Sequence, residues 1–97
     1  MGKIYQNDIG TKIILDTETD LSDASVVKIK VKKPSGTTLE WDASIEDASA
    51  GTISYIIASS DILDETGIWS FQAYVEFSNG AKLHGETAKL MVYQKWG

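Results

Sequence analysis

The sequence predicts an all-β fold, an antiparallel β-sandwich of about seven short strands. Three observations carry this. Trp69, Phe71, Ala73, Val75 and Phe77 recur at a period of two, with Ser70, Gln72, Tyr74 and Glu76 between them. That is the pattern of a strand with one face in a core and one face in water. Turn residues punctuate the chain at intervals of about 8–14 residues, and the segments between them are rich in β-branched and aromatic side chains. No stretch offers three turns of helical periodicity.

Ile4 and Tyr5 begin a short first strand, and residues 6–10 (QNDIG) form a turn. Residues 11–16 (TKIILD) are the second strand, with Ile13 and Leu15 on one side, Lys12 and Ile14 on the other, and both faces expected to be covered. After a polar connection, residues 25–33 alternate cleanly: Val27, Ile29 and Val31 face in, and Lys28, Lys30 and Lys32 face out. Pro34-Ser35-Gly36 turns the chain, the proline presetting φ at the first central position. Residues 38–46 are expected as one strand, with Leu39, Trp41, Ala43 and Ile45 sharing a face, followed by residues 52–58 with Ile53, Tyr55 and Ile57. Residues 59–67 make a corner, where Ser60 to Leu63 is expected to form one helical turn capped by Ser59 or Ser60. Residues 64–77 (DETGIWSFQAYVEF) then supply the central strand. Ser78-Asn79-Gly80-Ala81 is a hairpin signal, expected as a type I′ turn. In the last strand, residues 82–93, the apolar phase slips from Leu83 to Ala88, Leu90 and Val92, and a bulge at Gly85 reconciles the two halves.

The 97 residues therefore form one domain, residues 1–93, with a short C-terminal tail at 94–97. There is no cysteine, so the core closes without a disulfide or a thiolate metal site. The formal charge is −5, and the nine basic residues are all lysine. Without arginine forks or net positive charge, no nucleic-acid partner is expected. No apolar run of about 20 residues and no basic amphipathic helix is present, so no membrane partner is expected either. The first residues do not have the form of a signal peptide.

Asp16, Glu18, Asp20 and Asp23 are spaced so that hard oxygens could converge on calcium, but they lack the turn glycine and distal glutamate of a helix-loop-helix site. They are read as a solvated loop, and no metal or other cofactor is expected. His84 is the single histidine and has no nucleophile motif beside it. Glu40 and Asp42 lie on one strand face rather than across a cleft. The expectation is a protein that is not an enzyme. Trp41 and Trp69 alternate with polar residues and belong to the core. The outward Lys28, Lys30 and Lys32 either face an acidic partner or guard a strand edge. Tyr93, Lys95 and Trp96 sit at the C-terminal end, where an aromatic side chain suits a partner contact.

Glu65-x-Gly67-x-Trp69-x-Phe71 resembles the corner of immunoglobulin-like sandwiches, with Trp in the tyrosine position and Phe in the cysteine position. With tryptophan there the tyrosine hydroxyl's bond is either lost or made instead by the indole N–H. The order Gly10-Thr11-Lys12, Val31-Lys32-Lys33-Pro34-Ser35-Gly36-Thr37, Ala50-Gly51-x-Ile53-x-Tyr55 and Leu63-Asp64-x-x-Gly67-Ile68-Trp69 spans roughly residues 3–93. It resembles the small immunoglobulin-like domain of tailed-phage structural proteins, similar to the N-terminal domain of phage baseplate upper proteins. That resemblance implies a non-catalytic virion module, on tail, baseplate or capsid, that docks other virion proteins in a symmetric assembly of many copies. The alternative is a binding module for host-surface carbohydrate or protein.

Overall fold

The computed structural model describes residues 4–94, apart from the side chain of Glu86. Eight strands follow in order: β1 (Ile4–Tyr5), β2 (Lys12–Asp16), β3 (Ala24–Lys32), β4 (Thr38–Asp42), β5 (Ser44–Asp47), β6 (Thr52–Ile56), β7 (Gly67–Phe77) and β8 (Lys82–Tyr93). They form a five-stranded sheet, β1-β8-β7-β3-β4, packed on a three-stranded sheet, β2-β6-β5. All pairings are antiparallel except β1 with β8. This is an immunoglobulin-like sandwich.

The core is built as the alternation predicts. Trp69, Phe71, Ala73 and Val75 of β7 are buried, with Ile29 and Val31 of β3 beside them and Ile13, Leu15, Ile53 and Ile57 opposite. At the corner, the Trp69 indole Nε1–H donates to the Glu65 carbonyl at 3.0 Å, so the indole makes the bond. The β8 bulge also falls where expected, between the pairs Gln72↔Thr87 and Tyr74↔His84. Gly85 sits in it because a Cβ there would lie 3.3 Å from that of Ala73.

Four local expectations are corrected. The segment 38–46 is two strands, not one. At Ala43 the chain makes its last bond to β3, donating to the Val27 carbonyl at 3.1 Å, and then crosses to pair Ser44 with Ser54 in the other sheet. Trp41 fixes that crossing by stacking on Tyr55 of β6 at 4.4 Å. Ile14 is 52% exposed rather than covered, because the outer face of β2 looks into water. Residues 59–63 form turns rather than a helical turn, with the Ile62 N–H reaching the Ser59 carbonyl at 3.4 Å. The hairpin at 78–80 is not type I′. Gly80 has φ +88, but Asn79 does not share the left-handed region that both central residues of that turn require. Instead Gly80 N–H donates to the Phe77 carbonyl at 3.0 Å and Phe77 N–H to the Ala81 carbonyl at 2.8 Å, a three-residue loop closed by a left-handed glycine.

Candidate functional site: the outer face of the five-stranded sheet

Strand register decides which polar side chains become neighbours. On the solvent side of the five-stranded sheet, pairing sets three rows across β4, β3, β7 and β8: Asp42–Lys28–Tyr74–His84, Glu40–Lys30–Gln72–Thr87, and Thr38–Lys32–Ser70–Lys89. A fourth pair, Ile68↔Met91, leads towards Tyr93 at the same end. There the Tyr5 and Tyr93 rings lie 6.0 Å apart. Ile68 and Met91 are both exposed, so this end of the face is apolar. The middle is a shallow concavity of about 730 Å³ lined by Lys30, Lys32, Glu40, Ser70, Gln72 and Thr87.

The far end is organised around Tyr74. The Lys30 ammonium lies 4.9 Å from its ring centre, and the His84 ring is 5.0 Å from it on the other side. The Tyr74 hydroxyl donates to Glu76 Oε2 at 2.8 Å. That bond, with desolvation and the charges of Glu76 and Glu40, holds the phenol above its ordinary value of 10.0. Lys28, Lys30 and Lys32 form none of the ion pairs found among the described residues, which join Lys12 to Glu46 and Lys33 to Asp64 and Glu65.

The sequence-predicted site residues separate clearly. Lys28, Lys30, Lys32 and Tyr93 share this one face. Trp96 and Lys95 lie outside the described residues. The reading of the lysines as edge guards fails, because β3 is flanked by β4 and β7. Trp41 and Trp69 are core residues and present no ring to a ligand. Asp16 Oδ1 accepts the Glu18 N–H at 2.8 Å, and Asp20 Oδ1 accepts the Ser22 N–H at 2.8 Å, so both shape their own loop. The Ser22 hydroxyl and N–H hold Asp20 below its ordinary value. Among the described residues no three His, Asp or Glu side chains gather as a metal site would need. Sequence reasoning missed Tyr74, His84, Lys82, Lys89, Gln72 and Thr87 as parts of one surface. Their signal was the outward phase of β7 and β8, which becomes a surface only once the register is known.

No family model matches the chain, and no curated protein matches it. Among solved structures it is similar to the crystal structure of CopC from Methylosinus trichosporium OB3b, with a TM-score of 0.62 and 12% identity, covering 100% of this chain and 89% of that one. Identity this low shows the shared fold alone. The likeness corrects the expectation of a virion docking module for a tail, baseplate or capsid. The turn and core residues that carried the phage resemblance build a frame that CopC also has over its length, so they do not single out a phage protein, and the virion role is set aside.

Proposed function

We propose that this protein is a non-catalytic binding module that receives an acidic protein partner on the outer face of its five-stranded sheet. The observation that carries this reading is an excess of lysine over acid on one face of an acidic chain. Lys28, Lys30, Lys32, Lys82 and Lys89, out of nine lysines in a chain of net charge −5, stand on this face, against Glu40, Asp42 and Glu76. A basic patch on an otherwise acidic molecule orients an approaching acidic segment and repels it elsewhere. The concavity and the apolar end at Ile68 and Met91 supply shape and buried area beside the charge.

The test is a titration of the isotope-labelled protein with a hexaglutamate peptide, followed by backbone amide shifts. Shifts confined to β3, β7 and β8, weakening between 50 and 300 mM salt and lost in a Lys30→Glu/Lys32→Glu variant that keeps its fold, support the reading. Shifts concentrated in the loops at either end of the sandwich, or none, overturn it.

A further inference from the structure

The polar rows of the outer face differ in how their lysines are matched. Asp42 stands opposite Lys28 and Glu40 opposite Lys30, and at the hairpin end Glu76 stands opposite Lys82. The row Thr38–Lys32–Ser70–Lys89 has hydroxyls where the others have acids. Lys32 on β3 and Lys89 on β8 face the same serine from its two sides.

Register fixes how these groups meet. Ser70 lies between the buried Trp69 and Phe71, so it points outward, and its partners in the pairing point outward with it. Both lysines are exposed. Their Cα atoms are two strand spacings apart, about 9–10 Å. Flexible side chains at that separation bring both ammonium groups onto one small anion above Ser70, each through a charge-assisted bond of about 2.7–2.9 Å. The Ser70 hydroxyl lies beneath as a further donor. Thr38, beyond Lys32, and Thr87, one row along β8, add hydroxyls at the margin. Lys32, Thr38, Ser70 and Thr87 also line the concavity, so the anion sits in a depression of the sheet. Glu40 lines it too, but one row away, opposite Lys30.

We propose that this row is a seat for a phosphate monoester: the acidic partner carries a phosphorylated serine or threonine whose phosphate binds between Lys32 and Lys89, over Ser70. This rests on the reading of the outer face given above and names the group that anchors the partner there. A phosphorylated side chain carries a charge of about −1.5 to −2 and three strong acceptor oxygens. It therefore answers two lysines and a hydroxyl at once. A glutamate brings one charge and two oxygens, and answers them only in part. The next row sets what flanks the phosphate. Ile68 and Met91 pair two residues along β7 and β8 from Ser70 and Lys89, and both are exposed. Residues two apart in an extended peptide have the spacing of these rows, about 6–7 Å. An aliphatic residue two positions from the phosphorylated one therefore lies on Ile68 and Met91.

The test uses the full chain and the peptide acetyl-Glu-Glu-phosphoserine-Ala-Leu-amide, in this order and reversed, beside the same peptides with glutamate in place of phosphoserine. Binding is read by backbone amide shifts and by titration calorimetry. The phosphopeptide in its better order is expected to bind at least about tenfold tighter than its glutamate form, the worth of one added charge-assisted hydrogen bond. Lys32→Gln and Lys89→Gln, both at exposed positions, are each expected to cut that preference to about threefold or less while melting with the wild type. Lys82→Gln, on the same face but opposite Glu76, is expected to leave the preference unchanged. If the two forms bind alike and both shift the lysine-row amides, the phosphate seat is overturned while the outer-face reading stands. If neither shifts them, both fall. If inorganic phosphate binds as tightly as the phosphopeptide, the row holds a small anion only, and the phosphorylated partner is overturned.

Discussion

Replacing Trp69 tests the core and the corner together. Its side chain is fully buried, its ring is stacked near Phe71, the Lys33 ammonium lies 5.8 Å from its centre, and its N–H satisfies the Glu65 carbonyl. Two substitutions separate these contributions. Trp69→Phe keeps most of the apolar burial but removes the indole hydrogen bond and leaves a small void, for a cost of about 1–2 kcal/mol. Trp69→Ala removes the whole ring, for about 3–5 kcal/mol. A domain of this length loses roughly 4–8 °C of Tm per kcal/mol, so the phenylalanine variant should melt roughly 5–15 °C lower. Total stability of such domains is about 5–15 kcal/mol, so the alanine variant should be partly unfolded at 37 °C if the protein sits at the low end. Thermal melts by circular dichroism, paired with urea titrations of unchanged slope, measure both. A Trp69→Phe protein that melts with the wild type would show that the corner bond contributes nothing. A Trp69→Ala protein that does the same would refute the packing argument for the whole sandwich.

Two further outcomes follow from particular contacts. A Cβ at Gly51 would lie 2.4 Å from the Thr19 carbonyl oxygen, at φ +78, so Gly51→Ala is expected to cost about 3 kcal/mol or more, measured by urea unfolding. Gly80, at φ +88 with nothing within 4 Å of the same position, should lose only about 1 kcal/mol on replacement by alanine, and equal losses at the two sites would contradict the clash. Acid should destabilise the fold in a defined direction. Lys12 and then Ser54 hold Glu46 below its ordinary 4.5, and hydrogen bonds to Ser22, Ala50 and Ser59 hold Asp20, Asp47 and Asp61 below 3.8. Depressed carboxylates contribute stability that is whole above those ordinary values and is lost as pH falls through the lower folded ones, so Tm should be level from pH 7 to 5 and drop below about 4. Lys33, raised above 10.5 chiefly by its bond to Asp64, contributes in the opposite sense, losing its share only as pH rises through its raised value. Glu46→Gln should flatten the acid limb, and an unchanged limb would remove Glu46 from the account.

What could be read before the structure was local. β7 is legible because nine consecutive residues alternate and the strand is central, so its core face has no exceptions from Trp69 to Val75. The β8 bulge is legible because a one-residue phase slip has few other causes. The indole bond at the corner is legible because a buried N–H must find an acceptor. The crossing at Ala43 was not legible, since Thr38 to Ile45 keeps one uninterrupted alternation while its pairing partner changes from β3 to β6. The same limit hid the make-up of the outer face. Lys28, Lys30 and Lys32 are visible as a row, but only long-range pairing shows that Tyr74, Lys89 and Thr87 stand beside them, and that β3 has no edge to guard.

That placement has an energetic consequence that distinguishes function from solubility. Lys28, Lys30 and Lys82 stand opposite Asp42, Glu40 and Glu76, but Lys32 and Lys89 have only Thr38 and Ser70 as cross-strand partners, and like charges on neighbouring strand positions are destabilising. Here Lys30 and Lys32 stand two residues apart on one strand, and Lys32 lies in the same row as Lys89. Lys32→Glu places an acid between these lysines. It should leave stability unchanged or raise it by a few tenths of a kcal/mol. The same change puts a negative charge in the concavity and should weaken an acidic peptide several-fold, more at low salt than at high. Urea unfolding and peptide titration on the one variant read the two effects separately. Higher stability with weaker binding is the signature of a surface kept for a partner, the usual trade at a functional site. Lower stability with unaltered binding would mean that the lysine row holds the sheet together and that the partner docks elsewhere.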